Sequence, residues 1–99
     1  MRRAARTDQN QASIVSAFRQ RGATVQPLHT IGAGCPDLLV GWRGQNYLIE
    51  VKDGSKSPSK QRLTDDEKRW LQQWRGQVCI VSNVEQAIEL LEKRLVKKS

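Results

Sequence analysis

Gly34-Cys35-Pro36-Asp37-Leu38-Leu39-Val40-Gly41, followed after a short turn by Asn46-Tyr47-Leu48-Ile49-Glu50-Val51-Lys52, is the stretch that decides the fold. Pro36 opens an apolar run and suits the first residue of a strand, where its missing N–H costs least. Residues 37–40 read as that strand, 41–44 as a hairpin turn and 46–52 as the partner strand. Side chains alternate along a strand, so Tyr47, Ile49 and Val51 share one face and Leu48, Glu50 and Lys52 the other.

Upstream, residues 8–21 read as a helix with Thr7 as N-cap and Gly22 as its stop; Ile14, Val15 and Phe18 form the inward face. A strand over 24–28 and a loop marked by Gly32 and Gly34 lead into the hairpin. Downstream, 53–62 is a polar loop, and a second helix over 64–74 starts at a Thr64-x-x-Glu67 capping box. Trp70, Leu71 and Trp74 form its apolar face, with the two tryptophans expected in the core. A strand over 77–81 follows, then a helix capped by Asn83 with a stripe of Val84, Ala87, Ile88, Leu91 and Leu95. The order α-β-β-β-α-β-α predicts an α/β fold, with helices flanking a mixed sheet.

Ninety-nine residues fit one domain, and 37% hydrophobic with 27% charged residues fits a packed core. A net charge of +7 asks for a polyanionic partner. No apolar run is long enough to span a bilayer, and the basic start of the chain lacks the apolar centre of a secretion signal. DNA is therefore the expected partner, in the cytoplasm of a bacterial cell or phage-infected host. The expected contacts are a basic arm over 1–6 (Arg2, Arg3, Arg6), a basic tail over 96–99, Arg43 in the hairpin turn, and Lys56, Lys60 and Arg62 in the polar loop. Cys35 and Cys79 are expected as reduced thiols, and with one histidine they cannot make a structural zinc site.

Asp37, Glu50 and Lys52 interrupt apolar strands. A carboxylate at a sheet centre costs free energy unless it is paired or binds a metal. Glu50 and Lys52, two residues apart, project to one side, and hairpin pairing sets Asp37 on the adjacent strand. Two carboxylates give a hard oxygen site for Mg²⁺, and an adjacent ammonium can orient water and stabilise negative charge. A cross-strand ion pair on an exposed face is the plainer reading of the same residues.

These two segments, with the Leu63-Thr64 segment beyond them, resemble the PD-(D/E)xK nuclease superfamily. The likeness is closer to its virus-type replication-repair (VRR-Nuc) branch, which is related to Holliday-junction resolvases. The resemblance implies a restriction-endonuclease-like core of order α-β-β-β-α-β and Mg²⁺- or Mn²⁺-dependent cleavage of DNA with no small-molecule cofactor. It implies metal binding by Asp37, Glu50 and the Val51 carbonyl, and the catalytic-lysine role for Lys52. Branched DNA as substrate and a homodimer are further expectations from it. Many members carry a Glu in the first helix; here Asp8 and Gln11 are the polar candidates. Members often carry Gln where this chain has Glu67, for which capping and support of the site compete. A non-catalytic basic DNA-binding module is the rival reading. His29 reads as an ordinary residue, and Trp42 either stacks on a base or packs on its own loop.

Overall fold

The computed structural model describes residues 9–98, with side chains through Lys93. The expected N-cap Thr7, the candidate Asp8, Arg2, Arg3, Arg6 and Ser99 lie outside the described residues, as do the side chains of Leu95, Lys97 and Lys98, while the backbone of the expected tail is helical through Lys98. The elements are α1 (Gln11–Gln20), β1 (Thr24–Pro27), β2 (Leu38–Trp42), β3 (Gln45–Val51), α2 (Asp65–Gln73), β4 (Cys79–Val81) and α3 (Val84–Lys98), with a 3-10 turn over Pro58–Gln61 inside the polar loop. The predicted order of elements is the observed one.

The sheet runs β1-β2-β3-β4, antiparallel across the first two pairings and parallel between β3 and β4. Its β2–β3 hairpin is tighter than the sequence suggested. Gly41 and Trp42 belong to β2, Gln45 begins β3, and only Arg43 and Gly44 turn, both at positive φ (51° and 77°). Such a two-residue turn follows the natural twist of the strands. Trp42 is thereby a strand residue. Its indole N–H donates to the Arg21 carbonyl at 3.2 Å, and the Arg43 guanidinium stacks on its ring at 4.8 Å.

One sheet face carries Leu38, Val40, Tyr47, Ile49, Val51 and Val81, and these are buried with Ile14 and Phe18 of α1 and Ala87 and Leu91 of α3. The alternation of β3 thus sorts as expected. Val84 and Leu90 pack on this core, Leu90 where Ile88 was expected. α1 begins three residues later than predicted, with Asn10 at its N-cap position and no capping bond from that side chain. It ends as expected at Gly22, whose φ of +92° stops the helix. β4 is shorter than predicted because the Gln77 side chain does the pairing there. Its amide accepts from Leu48 N–H at 3.3 Å and donates to Cys79 Sγ at 3.0 Å.

The expectation that overturns is the core role of Trp70 and Trp74. α2 contributes no buried residue. The two rings stack on each other, 4.6 Å apart, and Trp74 is 45% exposed. Spacing of i, i+4 brings side chains together on one helix face whether or not that face is covered. Among the described residues no helix is long and apolar enough to cross a membrane.

Candidate active site

Antiparallel pairing sets Leu38 opposite Ile49, so Asp37, one residue before β2, lies beside the end of β3. Its Oδ2 accepts from the Val51 N–H at 2.7 Å. Leu28 N–H donates to the Asp37 carbonyl at 2.8 Å, so the backbone there is held from β1's side as well. Glu50, on the sheet face opposite the core, is only 3% exposed. Lys52 lies just past β3, where its N–H donates to the Val81 carbonyl. Its ammonium reaches Glu50 Oε2 at 3.4 Å and Glu67 Oε1 at 2.8 Å. The sequence-predicted Asp37, Glu50, Lys52 and Glu67 therefore converge.

Both roles weighed for Glu67 are present. Thr64 Oγ1 accepts from the Glu67 N–H at 3.1 Å, and Glu67 Oε1 accepts from the Thr64 N–H at 2.9 Å, which closes the capping box. The same Oε1 accepts from Lys52.

The charges are unevenly tolerated. Burial first, then the negative charge of Asp37 and contact with Glu67, push the Glu50 carboxyl from its ordinary 4.5 up to about 9, against the opposing pull of Lys52. Burial disfavours the Lys52 cation too, but the hydrogen bond and charge of Glu67 and the charge of Glu50 outweigh it and raise the ammonium. Glu67 is likewise penalised by burial, yet its bonds to Lys52, Glu50 and Thr64 hold it below the usual carboxylate range. Glu67 and Lys52 thus neutralise each other, which leaves Glu50 and Asp37 as crowded like charges. Two hard oxygen donors that cannot both stay ionised on their own fit a divalent cation. Among the described residues no group of three His, Cys, Asp or Glu side chains is placed to hold a metal ion. The donor set is two carboxylates, and Mg²⁺ bound that way keeps several waters.

The sequence did not single out Asn10. Its amide donates to the carbonyls of Lys52 (3.1 Å) and Ser82 (2.9 Å), tying the start of α1 to the ends of β3 and β4. Asn10 Oδ1 is buried without a partner, as are Gln11 Oε1 and His29 Nδ1. Gln11 is buried in the first turn of α1 and lines a cleft with Val15, Pro27 and His29. Cys35 is half-buried and unpaired, and burial followed by the charges of Asp37 and Glu50 pushes its thiol up.

The expected DNA contacts separate. Lys56, Lys60 and Arg62 are exposed on the loop that leaves the site. Arg43 sits at the far end of the hairpin, roughly 20 Å away at 3.4 Å per strand residue.

No family model and no curated protein matches the chain. Among solved structures, a chain described as "VRR_NUC domain" matches with a TM-score of 0.62 and 29% identity, over 85% of this chain and 91% of its own. The mixed four-stranded sheet with its flanking helices is thus the fold of a VRR-Nuc domain, and this chain resembles that domain over most of its length.

Proposed function

We propose that this nuclease domain is a divalent-metal-dependent DNA endonuclease that prefers branched DNA. The observation that carries the metal requirement is the convergence of half-buried Asp37 on buried Glu50, where burial first and the charge of Asp37 second raise Glu50 to about 9. Asp37 and Glu50 would hold the cation, with the Val51 carbonyl as a third oxygen. Bound Mg²⁺ or Mn²⁺ supplies charge neutralisation at the scissile phosphate and a water of lowered pKa. Asp37 keeps Val51 in place through its N–H. Lys52, held by two carboxylates, keeps its charge and aims it at the attacking water and the developing negative charge. A binding module without catalysis would have no reason to bring two carboxylates together on the face offered to phosphates.

The test is cleavage of labelled duplex, flap and four-way-junction DNA with Mg²⁺, Mn²⁺ or EDTA. The expected result is cleavage with either metal, none in EDTA, and the highest rate on a branched substrate. Equal rates on all three DNAs would remove the preference for branches.

Binding itself is expected to be electrostatic. With one phosphate each for Lys56, Lys60 and Arg62, a log–log salt slope of about −2.7 follows, or about a 40-fold loss of affinity over a fourfold rise in salt. Fluorescence anisotropy measures this, and affinity that barely changes with salt contradicts it. Two copies related by a two-fold axis would address two strands of a junction. Light scattering at micromolar concentration should give the mass of a dimer; a monomer mass rejects that part of the proposal.

A further inference from the structure

We infer that Glu67 is the positioning residue for Lys52: the turn that starts α2 holds the ammonium where the reaction needs it. This rests on the reading of Lys52 as the catalytic lysine.

A lysine ammonium is a point charge on a flexible four-carbon stem and does not aim itself. Here two carboxylates compete for it, Glu67 at 2.8 Å and Glu50 at 3.4 Å. The nearer one is Glu67, so the ammonium is drawn toward the start of α2 while it stays within 3.4 Å of the carboxylate assigned to the metal. The holder is itself fixed, because Glu67 Oε1 also accepts from the Thr64 N–H at 2.9 Å. Side-chain exposure of 12% for Lys52 and 20% for Glu67 leaves little water to compete.

The first turn of α2 is anchored although the helix buries no residue. Gly34 adopts φ +81°, and a Cβ there would collide with the Asp66 backbone carbonyl and stand 2.8 Å from the Glu67 nitrogen. The loop leading into Asp37 thus lies directly on the turn carrying Glu67. Asp37 and Lys52 are thereby held to one frame: the first through its own loop, the second through Glu67. Without Glu67 the ammonium has Glu50 as its remaining partner.

The experiment compares Glu67→Ala, Glu67→Gln and Thr64→Ala in melting temperature, single-turnover cleavage rate, DNA affinity and rate of Lys52 acetylation followed by mass spectrometry. Glu67→Ala should lose about ten- to a hundredfold in rate with DNA affinity unchanged, the size of effect that misplacing a catalytic group produces. Its Lys52 should acetylate several-fold faster. Glu67→Gln keeps an oxygen for both bonds and should restore the rate to within about threefold. Thr64→Ala weakens the cap, so it should lower the melting temperature yet leave cleavage and Lys52 acetylation near the parent's. Equal rate losses in Thr64→Ala and Glu67→Ala would reduce Glu67 to a helix cap and overturn the inference. Parental cleavage in Glu67→Ala would do the same. Should the parent cleave no DNA, the nuclease reading fails, and Lys52 acetylation then decides: faster labelling in Glu67→Ala alone sustains the positioning contact, and unchanged labelling overturns it.

Discussion

Alanine at Asp37, Glu50 or Lys52 is expected to cut single-turnover cleavage by about a hundred- to a thousandfold, the range seen when one preorganised electrostatic group is removed from a transition state. The three act as one unit, so a double variant should be little worse than either single one. Without metal, DNA affinity should hold in Glu50→Ala, where the lost carboxyl is already largely protonated, and hold or rise slightly in Asp37→Ala, which removes a negative charge from the phosphate's surroundings. Asp37→Ala carries a second cost: it leaves the Val51 N–H without the acceptor it has at 2.7 Å. Asp37→Asn retains an oxygen for that bond and should recover stability without recovering cleavage. Rates measured beside thermal melts separate the two effects.

The second large effect is on stability. In the metal-free protein Glu50 titrates near 9, against its ordinary 4.5. A folded state that binds a proton the unfolded chain has already released is favoured at low pH. This contribution is complete below about 4.5, falls as pH rises, and is gone above about 9. At about 1.4 kcal/mol per pH unit, the change from pH 5 to pH 8 is at most about 4 kcal/mol. That is a shift of many degrees in a domain of this size. Glu50→Gln carries no such charge, so its melting temperature should exceed the parent's at pH 8, with the gap narrowing toward pH 5. Adding Mg²⁺ at pH 8 should raise the parent's melting temperature and not that of Glu50→Gln. Parallel pH profiles for the two proteins would contradict the buried-carboxylate assignment.

Most of what positions the site was legible in the sequence, because it depends on local rules. Alternation along residues 46–52 put Glu50 and Lys52 on the face opposite Ile49 and Val51, and the hairpin register carried Asp37 to their side. The Thr64–Glu67 spacing announced the helix start at the site's edge. What the sequence hid depends on contacts between distant segments. Asn10 looks like any cap residue until β3 and β4 present two carbonyls to its amide, 42 and 72 residues away. Gln77 reads as the first residue of a strand, yet its side chain does the pairing. The stripe of Trp70, Leu71 and Trp74 states that the face is apolar without stating what covers it, and here the tryptophans stack on each other. That Glu67 would join Lys52 as well as its own cap needed the fold to bring α2 against the end of β3.

One comparison decides whether Asp37 and Glu50 form a metal-dependent nuclease centre: cleavage of a labelled four-way junction and flap by parent and Glu50→Ala, each shown to be folded, in Mg²⁺ and in EDTA. The parent should cut in Mg²⁺ alone, and Glu50→Ala should cut in neither. A Glu50→Ala protein that cleaves as fast as the parent, or a parent whose cleavage survives EDTA, would contradict it.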